Sequence, residues 1–295
     1  MTSPFSDISV AIVGSANLDM IARVRTFPKP GETVSDAQLS RFPGGKGGNQ
    51  ALACRRLGAE VYLLACVGQD PAAGEALASL EAEGVLLDHC RRLPRAHTGL
   101  AMILVSDDGE NQIVVAPGAN AAFTPELLNL PLTDAVIAQL EVPLPTILKA
   151  AHATDAFFCL NAAPARAVPK EVLNHTDLLV VNEIEAQHLA DTLPAYRGLL
   201  AVTLGSRGAV LSHYGKEIAR AKPPEVRVLD TTGAGDAFTA ALTLALVAGI
   251  HESEALHLAC RAGAYCATRP GAQTAPDWQE LLACGNMTVE EAKCE

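Results

Sequence analysis

The sequence predicts a three-layer α/β/α fold with a mainly parallel central sheet and a small β-sheet lid. Three observations lead there. Short runs of Val, Ile and Leu recur at residues 10–13, 61–67, 135–140, 156–160, 178–181 and 199–204, without the polar alternation of a half-exposed strand, as expected for strands buried on both faces. Helical patterns lie between several of them, at 48–57 before Gly58, 71–83 before Gly84, 146–153 and 183–192; strand alternating with helix implies parallel pairing with helices on both faces of the sheet. Two stretches stand outside the alternation: 20–42, with its Pro-Lys-Pro-Gly-Glu turn, and 98–117, which reads as a hairpin about Asp107, Asp108, Gly109 and Glu110.

The remaining elements follow in order. After Thr203 the texture changes, because GSRGAVLSHYGKEIARA carries hairpin-like glycines between short extended runs, so antiparallel strands are expected at a sheet edge. Long helices are expected at 236–248 and 252–268. The two outlying stretches, about 20–42 and 98–117, form a lid inserted in a single α/β domain spanning 1–295. Placed over the strand ends, such a layer keeps water from a reactive group held beneath it. No low-complexity linker or internal repeat interrupts the chain.

Composition narrows the function. With 295 residues, 49% of them apolar and 19% charged, the chain can bury a sizeable core and is not of the disordered class. A formal net charge of −11, with no long Lys/Arg cluster against it, argues against nucleic-acid or anionic-membrane surfaces. The eight cysteines, Cys54, Cys66, Cys90, Cys159, Cys260, Cys266, Cys284 and Cys294, contain no CxxC pair, and most read as buried thiols in a reducing compartment. MTSPFSDIS has no basic segment followed by an apolar one, and no apolar run is long enough for a bilayer, so a soluble cytoplasmic protein is expected.

The most informative motif is DTTGAGD, residues 230–236, running directly into an apolar helix. Gly233, Ala234 and Gly235 carry little bulk, so their N–H groups can converge where the helix dipole favours an anion. Asp236 beside that point is placed to take a proton from a hydroxyl attacking phosphorus. Read by itself, the motif equally describes a glycine turn with Asp in a first helical turn. A second tract, PGGKGGN at 43–49, opens another helix, and its glycines admit close approach of a polyhydroxylated ligand while Lys46 and Asn49 offer hydrogen-bonding groups. Alone it also reads as a flexible turn. Neither tract matches GxxxxGK[ST] or GxGxxG, which disfavours a P-loop NTPase and a simple dinucleotide-binding dehydrogenase.

Weaker signals sit at strand ends. In GSANLD, Asn17 and Asp19 share one side of an extended segment and can grip vicinal hydroxyls. Glu141 ends an apolar strand, and Asn182, Glu183 and Glu185 follow another, where ligands gather in open α/β sheets. Glu185 can hold a water of a hydrated Mg²⁺, but NEIEA also fits an Asn N-cap followed by first-turn acids. TLGSRG, from Thr203 to Gly208, offers backbone and hydroxyl groups to a nucleotide or simply makes a hairpin turn. The eight histidines show no metal spacing.

These motifs in this order, GSANLD, PGGKGGNQAL, GENQIVVAPGAN, QLEVPL, LNAAPAR, VNEIEA, TLGSRG, DTTGAGDAF and TRPGAQ, resemble the ribokinase family of carbohydrate kinases, also called the PfkB family, over nearly the whole chain. The resemblance implies a ribokinase-like fold and ATP-dependent phosphorylation of the 5-hydroxyl of D-ribose. It implies that Asn17, Asp19, Gly45, Lys46, Gly47, Gly48, Asn49 and Glu141 surround the sugar together with Asp236, the general base. Gly233, Ala234 and Gly235 are then the anion hole. Asn182 and the segment Thr203, Leu204, Gly205, Ser206, Arg207 and Gly208 would meet ATP with Gly235, and Glu185 would support Mg²⁺ through water. An activating K⁺ is implied beside Asp230, Thr232, Cys266, Arg269 and Gly271, mostly through backbone oxygen, and a homodimer through the lid.

Three departures from the family pattern qualify these implications. The stretch from Glu185 to Thr203 is shorter than usual, Ala275 stands where a Ser near the cation is common, and Cys260 stands where a polar residue near adenine is usual. The alternatives are a same-family kinase for deoxyribose, fructose or a nucleoside such as adenosine, or an inactive sugar-binding protein. Asn17, Asp19 and Glu141 favour a small free sugar, since the lid stretches offer only Phe27 and Phe42 as an aromatic platform for a base.

Overall fold

The structure, a computed structural model, describes residues 2–108 and 110–284; Gly109 of the expected 107–110 turn and Cys294 lie outside the described residues. The first half of the chain runs β1 (Ser9–Val13), β2 (Asn17–Val24), β3 (Gln38–Gly44), α1 (Lys46–Arg56), β4 (Glu60–Leu64), β5 (Cys66–Gly68), α2 (Pro71–Ala82), β6 (Arg91–Leu93), β7 (Gly99–Ser106), β8 (Asn111–Ala116), β9 (Ala135–Gln139) and α3 (Leu144–His152). The second half runs β10 (Phe157–Asn161), α4 (Lys170–Asn174), β11 (Leu178–Asn182), α5 (Glu183–His188), β12 (Leu199–Thr203), β13 (Ala209–His213), β14 (Lys216–Ala221), α6 (Ala234–Val247), α7 (Glu252–Cys266) and α8 (Trp278–Ala283).

The central sheet has eight strands in the order β14-β13-β12-β11-β10-β9-β1-β4. It is parallel from β4 to β12 and closes with the antiparallel pairs β12–β13 and β13–β14, at the edge where the glycine-punctuated sequence placed them. Alternate residues of each strand enter opposite cores. Val10, Ile12, Ile137 and Val180 pack with Leu52 of α1, Phe238 of α6 and Leu256 of α7, whereas Val13, Val136, Phe158 and Val181 pack with Ile147 of α3 and Val172 of α4. This two-sided burial is why the strands read as unbroken apolar runs, each fully buried Leu, Ile or Phe contributing roughly 1.5–3 kcal/mol.

A second, four-stranded sheet has the order β3-β2-β7-β8. It is built from the two outlying stretches, but its strands reach further than they do: β2 begins at Asn17 and β3 ends at Gly44, so the GSANLD and PGGKGGN motifs are the roots of this sheet.

Three local expectations are corrected. The run 61–67 is two strands, because β4 stays beside β1 while β5 leaves the central sheet to pair with β6; continuous apolarity does not record a change of partner. The helix expected over 183–192 ends at His188; beyond it the Ala190 and Thr192 N–H groups bond three residues back, to Gln187 O and Leu189 O, so the chain tightens into turns. Helices α4 and α8 were not anticipated, although α8 opens on a capping box between Asp277 and Glu280. Of the cysteines, Cys54, Cys66, Cys159, Cys260, Cys266 and Cys284 are buried and unpaired, and Cys90 is half-buried. Among the described residues no helix is long and apolar enough to cross a membrane.

Candidate active site

The start of α6 is shaped by Gly233. Its φ of 78° lies in the left-handed region, and a Cβ there would collide with the Ala272 carbonyl, so only glycine fits the turn without strain. The Ala234 N–H bonds back to Thr231 O at 3.2 Å, which takes it out of the expected set of convergent donors. Gly235 faces open space, with nothing within 4 Å of where a Cβ would stand. Its N–H is among those a helix start leaves without an intrahelical acceptor, at the positive end of the dipole.

Asp236, in the first turn of α6, is buried. Its carboxylate receives two amide donors from consecutive residues of α1: Asn49 Nδ2 to Oδ2 at 2.8 Å and Gln50 Nε2 to Oδ1 at 2.9 Å. The second Gly-rich tract and DTTGAGD thus meet at one carboxylate.

Asp236 lies on a cavity of about 370 Å³ between the central sheet and the smaller sheet. Asn17 and Asp19 enter from β2, Gly45, Lys46 and Asn49 from the start of α1, and Glu141 from beyond β9. Aliphatic Ala101, Ile103, Ile113 and Val115 cover it from β7 and β8. Two of the polar wall residues, Asn17 and Glu141, are held by neighbours. Asn120 Nδ2 donates to Asn17 Oδ1 at 2.7 Å, turning the Asn17 amide one way, and Glu141 Oε2 accepts from Ser15 Oγ and from the Lys46 N–H at 3.0 Å.

The electrostatics follow from crowding. Burial, with the Glu141 and Asp236 carboxylates nearby, pushes the Asp19 carboxyl up to about 6. Asp236, together with Glu141 and Glu185, raises the Lys46 ammonium against the lowering effect of its burial. Burial raises the Glu185 carboxyl, opposed by the Asn182 N–H and Lys46.

Gly47 and Gly48 do not face this cavity as expected. A Cβ on Gly47 would stand 2.6 Å from Ser15 N and O, and the Gly48 N–H donates to Ser15 O at 2.9 Å. These glycines let α1 press against the end of β1, a packing role next to the ligand-facing residues.

A larger cavity of about 850 Å³ adjoins on the other side of the α6 start, and Thr203, Thr231 and Gly235 line both. Thr203, Gly205, Ser206 and Gly208 border it, with Phe238, Cys260 and Ala264 as an apolar wall. Leu204 and Arg207 are not on its lining: the Arg207 guanidinium turns out to Glu183 at 2.5 Å. Asn182 and Glu185 form a reciprocal capping box, Asn182 Oδ1 accepting from the Glu185 N–H at 2.8 Å and Glu185 Oε2 from the Asn182 N–H at 2.7 Å. Both still line the smaller cavity, Asn182 with its Nδ2 uncommitted to the cap.

Beside the α6 start, Asp230 Oδ1 accepts from Thr232 N and Oγ1 at 2.9 and 2.6 Å, and Oδ2 from the Gly271 N–H at 2.9 Å. Burial alone would raise the Asp230 carboxyl; these bonds and Arg23 outweigh it and hold it low. Cys266 Sγ approaches Thr232 O at 3.7 Å. Ala275 has no side-chain oxygen, but the neighbouring Thr274 Oγ1 lies 3.3 Å from Cys266 O and 3.2 Å from Gly271 O. Arg269 stacks its guanidinium on Tyr265 at 3.8 Å; a guanidinium has no acceptor atom, so Arg269 has only its backbone oxygen to offer a cation.

Sequence reading missed the polar residues that support the site: the buried Ser15, Gln50, Asn120, Gln139 and Asn161, and the half-buried Thr274. Gln50 had a signal, since it continues PGGKGGN by one residue on a helix face that turns inward; the others carry none, because a polar residue in or after a strand usually marks an exit from the sheet.

A family model described as pfkB family carbohydrate kinase matches residues 7–279. The ribokinase of Bacillus subtilis (strain 168) is 36% identical over 293 residues, covering 93% of this chain and 99% of that one. Among solved structures, ribokinase from Thermotoga maritima aligns with a TM-score of 0.86 at 30% identity over 95% of this chain and 100% of that one. Arabidopsis thaliana ribokinase complexed with ribose and ATP aligns with a TM-score of 0.85 at 30% identity over 95% and 99%.

Proposed function

The chain belongs to the pfkB family of carbohydrate kinases, and from that premise we propose that it transfers the γ-phosphoryl group of ATP to the 5-hydroxyl of D-ribose, giving ribose 5-phosphate and ADP. The observation that carries this reading is the placement of Asp236 and the open start of α6 between a small polar cavity and a larger, partly apolar one. A sugar fits the first and a nucleotide the second.

In this reading Asn17, Asp19, Lys46, Asn49 and Glu141 hold the ribose hydroxyls and Asp236 faces the 5-hydroxyl. As the sugar oxygen attacks phosphorus, Asp236 accepts its proton. The Gly235 N–H and the α6 dipole stabilise negative charge on the transferred group, and Gly233 supplies the turn that aims them. Thr203, Gly205, Ser206, Gly208 and Asn182 hold the nucleotide. The aliphatic cover from β7 and β8 makes the smaller sheet a lid within a single domain, excluding the water that would otherwise take the phosphoryl group.

Glu185 keeps one carboxylate oxygen outside its cap, a donor suited to a metal-bound water. Bound with ATP, Mg²⁺ neutralises phosphate charge and orients the transferred group. Asp230 and the backbone oxygens of Thr232, Cys266, Arg269 and Gly271 would hold a K⁺ ion, whose charge would add to that of the helix start. The lid sheet also presents apolar Met102 and Val114 on the face turned from the cavity, 49% and 60% exposed, which supports pairing of two lids in a homodimer. The protein acts in the cytoplasm in this reading.

The test is product identity. Phosphorus NMR of the product from ribose and ATP shows a phosphate ester coupled to the two protons of C5; coupling to a single sugar proton overturns the assignment.

A further inference from the structure

Gln50 is fully buried, and the chemistry above makes no use of it. Its amide belongs to a chain of donors and acceptors whose sense is fixed. The Val180 carbonyl can only accept, so Asn161 turns Nδ2 to it at 3.3 Å and Oδ1 towards Gln50. Gln50 must therefore present Nε2, which donates to Asn161 Oδ1 at 3.0 Å and to Asp236 Oδ1 at 2.9 Å. That leaves Gln50 Oε1 to accept from Gln139 Nε2 at 2.6 Å. Reversing the Gln50 amide would set donor against donor at one end and acceptor against acceptor at the other. Gln139 is buried too, and its Oε1 has no partner among the described residues, so the sense of the chain is set at the Asn161 end, tied to the Val180 carbonyl, and Gln139 completes it.

The other carboxylate oxygen is treated differently. Asn49 Nδ2 donates to Asp236 Oδ2, but Asn49 Oδ1 has no partner among the described residues. The Asn49 amide can thus rotate to accept from a new O–H on Oδ2, whereas the Gln50 amide cannot do the same at Oδ1.

We propose that Gln50, locked by Asn161 and Gln139, is a positioning residue that fixes the Asp236 carboxylate and assigns the proton of the attacking hydroxyl to Oδ2. The inference rests on Asp236 being the base. In the step, the hydroxyl O–H bond breaks, the proton passes to Oδ2, and the electron pair of the sugar oxygen goes to phosphorus as the bond to the ADP leaving oxygen breaks.

The test compares kcat, the ribose KM and the acid limb of the kcat–pH profile in the intact enzyme and in Gln50→Met. A donor to a charged oxygen contributes about 1.5–3 kcal/mol, so kcat falls by about 10- to 100-fold. The ribose KM stays within about threefold, and the acid limb moves to higher pH because the carboxylate has lost a donor. Lys46 from α1, Asp19 from β2, Glu185 from α5, the Cys266 thiol from α7 and Glu141 also surround Asp236. They are common to both proteins, so the displacement of the limb reads Gln50 alone. If Gln50→Met does not fold, Gln139→Met tests the same lock, with the same direction and about a 2- to 10-fold loss expected from one neutral hydrogen bond. A limb that does not move in either variant, with or without a fall in kcat, overturns the proposal. Asp236→Asn is run alongside: if it keeps its turnover the base assignment fails, and if it is inactive while Gln50→Met behaves as the intact enzyme, only the present inference fails.

Discussion

Asn49 Nδ2 lies 2.8 Å from Asp236 Oδ2, joining the first turns of α1 and α6 across 187 residues of chain. Two glycine-rich segments that are each ambiguous alone become one site through this bond. Substituting Asp236→Asn keeps the side-chain volume and removes the proton acceptor, so kcat is expected to fall by about 10²- to 10⁴-fold with the ribose KM nearly unchanged. Steady-state kinetics check this, and near-normal turnover contradicts the base assignment.

Asp19 predicts a pH dependence of sugar binding. Its carboxyl is pushed up to about 6, so it is protonated below that pH and a full acceptor for sugar hydroxyls above it. The ribose KM is expected to rise as pH falls through about 6. In Asp19→Asn the KM is high throughout and this part of the profile is flat; an unchanged profile in the variant assigns the limb to another group.

Gly233→Ala tests the geometry of the α6 start. The φ of 78° costs an L-residue with a side chain roughly 1–2 kcal/mol, and the collision with the Ala272 carbonyl adds to it. Thermal unfolding is expected to show the loss and kinetics a reduced kcat, because the segment that aims the Gly235 N–H must shift. Gly215→Ala is a suitable control, since it shares a positive φ of 71° but meets nothing within 4 Å; equal kinetic effects in both variants contradict the account.

Asp230 predicts a cation effect. ADP release in potassium chloride is expected to exceed that in tetramethylammonium chloride of equal ionic strength by about 2- to 30-fold, the range of a charge placed near a helix terminus. Asp230→Ala removes the difference. Equal rates in both salts for the intact protein contradict a K⁺ site.

The layered fold was legible because burial on both faces leaves a plain signature: residues 135–138 and 178–181 are apolar without alternation and lie in central strands. Change of partner leaves no such signature, so the boundary between β4 and β5 at Ala65 was invisible. The cavity walls Asn17, Asp19, Lys46 and Asn49 were legible as polar residues in glycine-rich or strand-end contexts. Their supports were not. Asn120 and Asn161 act through bonds to residues 103 and 111 positions away, and nothing in local pattern encodes such a pairing. The outward turn of Arg207 was not legible for a related reason, since Glu183, which draws it outwards, opens α5 just past the end of the neighbouring strand β11.

If this site phosphorylates D-ribose from ATP, ADP release with Mg²⁺, K⁺ and ATP, measured in the presence of D-ribose, deoxyribose, fructose or adenosine at equal concentration, is expected to give D-ribose the highest kcat/KM of the panel. A higher value for another acceptor, or no acceptor-dependent ADP release at all, would contradict it.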